Sequence, residues 1–274
     1  MNVTKIGIDA GGTLIKVAYM DDQDTLQFRK FDSRQIEAAA AWINECFYDA
    51  TICVTGGKAT LLQPLLKHKA CTLVEFEATC QGIKFLLNIE GVDLDSFVLT
   101  NVGTGTSIHF IDSDRHSRIG GTGVGGGTMM GLSLLLADID EYDQIVHMAG
   151  HGERNTIDLK VSHIYEGSES PISGNLTASN FGNIHKLRSS AGKKEDLLLS
   201  VMGLVGETVA TTSVLAAGQH AITNVVYIGS SFIHNEILKK VVATYTIFRG
   251  ANPIFVQNGE FSGAVGALMS LSAV

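Results

Sequence analysis

Asp9 closes the apolar run IGID and is followed at once by Gly11, Gly12 and Thr13. A carboxylate is a hard oxygen ligand for Mg2+. Glycine lets backbone N–H groups approach an anion with no side chain in the way. The alternative is a turn residue whose side chain caps a hairpin. Three more turns have this make-up: Gly103-Thr104-Gly105-Thr106, Gly120 to Gly127, and Gly229-Ser230-Ser231. Glu75 and Glu77 lie two apart in TLVEFEA; on a strand they share one face, either solvent or a cleft where a glutamate takes a hydroxyl proton. Arg118 directly precedes Ile119-Gly120-Gly121, where a guanidinium can reach the anion that the glycines cradle, or can simply be solvated.

Several familiar chemistries have no support. Gly121, Gly123 and Gly126 spell a formal GxGxxG, but it follows a hairpin and not the first strand of a βαβ unit. It does lead into a helix, whose N-terminus can face an anion. No GxxxxGK[ST], GxSxG or HExxH occurs, which removes the P-loop, the serine-hydrolase elbow and zinc-hydrolase chemistry.

These residues need strands and turns to hold them. Residues 3–10 and 14–20 alternate as a hairpin, and 34–48 carry helical spacing at Ile36, Ala39, Ala40, Ile43 and Phe47. ATICVTGGKATLLQPLL reads as strand, glycine turn, helix; CTLVEFEATCQGIKFLL as a short strand running into a helix. The plan then recurs. SFVLTNVGTGTSIHFID (96–112) repeats the opening hairpin, setting Asn101 opposite Asp9 and Gly103 opposite Gly11, and NVVYIGSSFIHNEIL (224–238) repeats strand, turn, helix. The predicted lobes are 1–92 and 93–274, meeting near NIEGVDLDSF. Further helices are predicted at MMGLSLLLADI, EYDQIVHMAG, about 194–219 and FSGAVGALMSL. The helix at 194–219 is apolar nearly all round, as in deep burial or a subunit interface.

A chain of 274 residues, 45% hydrophobic and 18% charged, has ample length for a core. Its net charge of −8 gives no general attraction to nucleic acid or acidic membranes. Cys46, Cys53, Cys71 and Cys80 form no CxxC and are expected to be buried, reduced thiols. The absence of a signal-like start and of an uninterrupted apolar run of about 18 residues sets the expectation of a cytoplasmic protein, with no membrane span and no nucleic-acid partner.

GIDAGGTLIK, VEFEA, NVGTGTS, IGGTGVGGG, RNTIDLKVSHIY, VVYIGSSF and NGEFSGAVGAL, in this order, cover nearly the whole chain and resemble the bacterial type II pantothenate kinases. They are also similar to the catalytic region of the eukaryotic enzymes. The resemblance implies an α/β fold of duplicated actin-like ATPase (ribonuclease H-like) lobes, with mixed sheets flanked by helices and a cleft between. It implies ATP and Mg2+ as cofactors, phosphorylation of the primary hydroxyl of pantothenate as the first step of coenzyme A synthesis, and a homodimer. By motif, Asp9, Ala10, Gly11, Gly12, Thr13, Leu14, Ile15 and Lys16 match the first phosphate loop, with Asp9 toward the metal. Glu75 matches the catalytic base and Arg118 the arginine of the substrate site. Thr104, Gly126, Gly127, Thr128, Met129, Met130, Tyr142 and Ser230 match nucleotide contacts. Glu77 stands where an aspartate is expected. Two other readings are a sugar or amino-sugar kinase of the same superfamily, disfavoured by the few hydroxyl-reading groups near VEFEA, and an ATP-binding regulator without catalysis, disfavoured by Asp9, Glu75 and Arg118 together.

Overall fold

In TKIGIDA, every second residue from Ile6 is apolar, which in an extended chain puts Ile6, Ile8 and Ala10 on one face and Gly7 and Asp9 on the other. That face is buried. In the computed structural model, which describes residues 4–21, 23–113, 115–165, 168–186 and 192–271, these residues form β1 (Thr4–Ala10) at the centre of a five-stranded sheet.

The order along the first half is β1, β2 (Leu14–Met20), β3 (Leu26–Asp32), α1 (Ile36–Cys46), β4 (Ala50–Thr55), α2 (Ala59–Leu62), β5 (Ala70–Thr72) and α3 (Glu75–Ile89). The second half runs β6 (Phe97–Val102), β7 (Thr106–Ile111), β8 (His116–Thr122), α4 (Gly126–Ala137), α5 (Tyr142–Ala149), β9 (Leu159–Lys160), α6 (Val161–Tyr165), β10 (Thr177–Ser179), α7 (Lys194–Gln219), β11 (Asn224–Ile228), α8 (Glu236–Phe248), β12 (Asn252–Phe255) and α9 (Ser262–Ser270). The first sheet is ordered β3-β2-β1-β4-β5. The second, read from its far edge, is β8-β7-β6-β11-β12. In both, a three-strand antiparallel meander continues into two parallel strands. The repeat read from sequence is therefore a duplication of topology.

Ile6, Ile8, Ile15, Val17, Ile52 and Val54 pack with Ala39, Ala40 and Ile43 of α1 on one face of the first sheet. The other face is covered by α9, from the opposite end of the chain, through Ala264, Val265 and Leu268. Conversely α3, which leaves the first sheet, packs Cys80, Ile83 and Leu87 on Phe97, Leu99 and Val226 of the second. The two helices cross in contact because each has a glycine there: a Cβ on Gly266 would strike the Ala78 carbonyl, and one on Gly82 the Ser262 carbonyl. Gly266→Ala is expected to cost about 1–3 kcal/mol, since neither backbone can yield cheaply. Gly131→Ala in α4, where an added methyl meets nothing within 4 Å, should be neutral or stabilising by up to about 1 kcal/mol. Urea unfolding midpoints of the two variants check this pair.

The apolar helix α7 lies in the core of the second half, with Leu198, Val201, Val205 and Val209 buried. It is long and apolar enough to cross a membrane by length and composition, but two-thirds of that window (67%) is buried inside the molecule. The sequence expectation for the cysteines holds in part. All four are free, but only Cys53 and Cys80 are buried; Cys46, in the last turn of α1, and Cys71, on the edge strand β5, are exposed.

Candidate active site between two glycine hairpins

The turns of the two hairpins meet. Thr13 Oγ1, after β1, and Thr104 Oγ1, after β6, are 3.0 Å apart. Gly11 N–H donates to Leu14 O at 3.1 Å, and the Ser33 N–H and hydroxyl donate to Thr13 O and Gly11 O, so the first turn is braced from beneath. The second is tied to α4: Gly126 N–H donates to Gly103 O and Gly127 N–H to Thr104 O, each at 2.8 Å. This close approach needs glycines, because a Cβ on Gly126 would lie 2.9 Å from Gly103 O.

Beside these tips opens a cavity of about 500 Å3, lined by Thr13, Leu14, Thr104, Gly126, Gly127, Met130, Tyr142 and Ser230 among others. Its size is that of a small-molecule site. Tyr142 shapes one wall by donating to Ser231 O (2.8 Å) and Ile233 O (3.0 Å), and burial pushes its phenol up to about 12. Ser231, from the third glycine turn, also lines it, as do Lys30, Asp143 and His234, which carry no local sequence signal. Other matched residues, Ala10, Ile15, Thr128 and Met129 among them, do not line it. Ala10 and Ile15 belong to the first core, and Met129 is fully buried in the second, its sulfur accepting from Asn235 Nδ2 at 3.8 Å. Thr128 caps α4 instead, with its hydroxyl donating to Gly123 O at 2.9 Å.

The charged residues form a second group. Asp9 and Lys16 are register partners on β1 and β2, with Nζ and Oδ2 3.5 Å apart. Burial raises the Asp9 carboxyl, and Lys16 pulls it back in part. The charges of this pair reach Glu75: loss of solvent raises its carboxyl, the Asp9 charge raises it further, and Lys16 offsets some of the rise. The strand assumed for Glu75 and Glu77 is instead the first turn of α3, with Val74 the last extended residue. In a helix, residues two apart diverge, so Glu77 leaves the Glu75 face and accepts from Gln81 Nε2 at 3.3 Å. Two acids in a first helical turn are the signal that would have revealed this.

Phe76 joins Glu75 to the arginine strand. Its ring lies 4.9 Å from that of His109, and His109 is the register partner of Arg118. Arg118 Nη2 lies over Gly121, where a Cβ would come within 2.6 Å. Burial, Arg118 and His116 depress His109 to about 4, so its imidazole is neutral near pH 7 and does not repel the guanidinium.

Mg2+ takes one or two carboxylates and completes its shell with water and phosphate oxygens. Asp9 fits that role: a Cβ on Gly56 would lie 2.7 Å from Oδ1 and one on Gly263 3.0 Å from Oδ2, so two glycines leave room beside the carboxylate, whose Oδ2 also faces Lys16. Among the described residues no group of three or more His, Cys, Asp and Glu could cage a metal. His147 and His151, at HxxxH spacing with rings 5.1 Å apart, have no third ligand among the described residues.

This arrangement has known relatives. The profile of the family described as Fumble matches residues 5–270. A type II pantothenate kinase of Staphylococcus aureus strain USA300 is 45% identical over 264 residues, covering 96% of this chain and 98% of the relative. The chain belongs to the Fumble family. The duplicated topology of this Fumble member agrees with solved structures at much lower identity. Component A of the (R)-2-hydroxyglutaryl-CoA dehydratase of Acidaminococcus fermentans has a TM-score of 0.65 at 13% identity, over 98% of this chain and 97% of that one. A ROK family glucokinase of Streptomyces griseus has 0.61 at 13%, over 97% and 98%. These two show the actin-like ATPase fold alone.

Proposed function

We propose that this chain transfers the γ-phosphoryl group of ATP to the primary hydroxyl of pantothenate, forming 4′-phosphopantothenate in coenzyme A synthesis. The observation that carries this is the near-full-length identity to type II pantothenate kinases, and the site suits the chemistry. Phosphoryl transfer asks a protein mainly to position groups and neutralise charge. The two glycine hairpins and the cavity beside them hold the nucleotide, with Thr13, Thr104, Tyr142 and Ser230 on its walls. Mg2+, held by Asp9, would neutralise charge on the phosphates. Glu75 accepts the hydroxyl proton, and Arg118 orients the substrate or steadies developing charge. With lobes at 1–92 and 93–274, closure of one on the other would exclude water from the transfer.

The homodimer belongs to the same proposal. Leu135, Leu215 and Ile247, large and exposed on the second half, offer apolar surface for a second copy, and sedimentation velocity tests it. Four free thiols suit a reducing cytoplasm.

ADP release with pantothenate, N-acetylglucosamine and glucose offered separately tests the acceptor. Release with pantothenate alone is expected, and release with the sugars alone would refute the reading. Asp9→Asn is expected to weaken Mg2+ binding in the nucleotide complex by about 10–100-fold, read by calorimetric titration as well as by the Mg2+ dependence of the rate.

A further inference from the structure

We propose that Cys53 and Cys71 form a reversible dithiol–disulfide site at the edge of the first sheet, closed by exchange with an anionic low-molecular-weight disulfide.

Cys53 on β4 and Cys71 on β5 are register partners on adjacent parallel strands. Neighbouring strands lie about 4.7–4.9 Å apart, inside the Cα separation of about 4.4–6.8 Å that a disulfide spans. Register partners also project from the same face of a sheet, so the two Cβ atoms are side by side. A disulfide draws Cβ atoms to about 3.8 Å, closer than ordinary strand spacing. β5 can supply that movement: it is three residues long, lies last in its sheet, and among the described residues has β4 as its only strand neighbour. The other two cysteines lie elsewhere, Cys46 in the last turn of α1 and Cys80 within α3.

Exposure divides the roles. Cys71 is open to solvent and Cys53 is fully buried. Burial pushes the Cys53 thiol up to about 11, and the neighbouring Cys71 adds to the rise. Cys71 therefore reacts first. Its thiolate displaces one small thiolate from the disulfide RSSR and leaves a mixed disulfide. The Cys53 sulfur, losing its proton, then attacks the Cys71 sulfur and displaces the second. Two protein thiols are oxidised to one disulfide while RSSR is reduced to two RSH, which carry the two protons. Lys67, His68 and Lys69, just before Cys71, favour an anionic RSSR such as oxidised glutathione. In a reducing compartment such a bond is transient and redox-sensing, not structural.

The bond would be felt at the catalytic base. From Cys71 the chain passes through Thr72, then Leu73, whose N–H donates to Val54 O at 3.1 Å, then Val74, and reaches Glu75. Drawing β5 onto β4 displaces the start of α3, and misplacement of a reacting group by 1 Å can cost about 10²-fold.

The full chain would be incubated with oxidised glutathione and digested without reduction. A tryptic pair joined through Cys53 and Cys71 is expected by mass spectrometry, with kinase turnover down about tenfold or more and restored by dithiothreitol. Cys71→Ser, at an exposed edge, should keep full turnover and resist the oxidant, whereas Cys46→Ser should behave as the parent. Glutathione retained on Cys71 with no bond to Cys53 would overturn the proposal. So would a linked pair with undiminished turnover. The peptide readout requires no kinase activity, so it stands apart from the test of the acceptor.

Discussion

Glu75→Gln is expected to lower kcat with pantothenate by about 10²–10⁴-fold, the usual worth of a general base, with little change in KM for ATP. Glutamine keeps the shape of the side chain and its place in the first turn of α3 but cannot take the proton. The environment of Glu75 adds a pH signature. Burial, then the nearby Asp9 charge, raise its carboxyl above the usual carboxylate range, with Lys16 opposing. A base works when deprotonated. The rate of the parent enzyme should therefore climb with pH through this raised value and level off above it. In Glu75→Gln that acid limb should vanish from the residual rate. An unaltered limb and near-normal turnover would remove Glu75 from the reaction. Steady-state rates across an acid-to-neutral pH series, with circular dichroism to confirm folding, separate these outcomes.

Asp158→Ala is expected to destabilise the protein by about 3–5 kcal/mol, the loss when one member of a buried ion pair is removed. Asp158 is fully buried and accepts from Arg154 Nε at 2.6 Å and from Phe181 N–H at 2.8 Å. The same guanidinium donates to Glu207 Oε1 of α7 at 2.6 Å and to Thr177 Oγ1 of β10 at 3.2 Å. It fits against α7 only because Gly203 has no side chain, since a Cβ there would collide with it. The alanine leaves the guanidinium short of one counter-charge and the Phe181 N–H without its partner. Because the network joins residues 154–158, β10 and α7, its loss should loosen the chain around Arg154, Thr177 and Phe181. A lower urea midpoint measures the first effect, and faster amide exchange across 154–183 measures the second.

Much of this protein is legible locally. The two glycine hairpins, the two strand–turn–helix units and α7, at 194–219, follow from alternation, helical spacing and turn residues, all set within a few residues of chain. The duplication is legible too, since its two copies carry the same local patterns in the same order. The family resemblance implied that Asp9, Thr13, Thr104, Tyr142 and Ser230 share one site, and the fold brings the last four to one cavity.

Local sequence, then, sets the elements, their repetition and the residue types at their turns. Long-range packing sets which faces those elements share. The exchange of α3 and α9 between sheets depends on contacts between residues nearly two hundred positions apart, such as Ala78 and Gly266. It sets Glu75 on a helix within reach of the Asp9 and Lys16 charges, where local alternation suggested a strand. It also hides Met129 and exposes Cys71. The physical reason is range. Backbone propensity and side-chain periodicity act between near neighbours in the chain, whereas burial, charge coupling and close helix approach belong to whatever the completed fold places alongside.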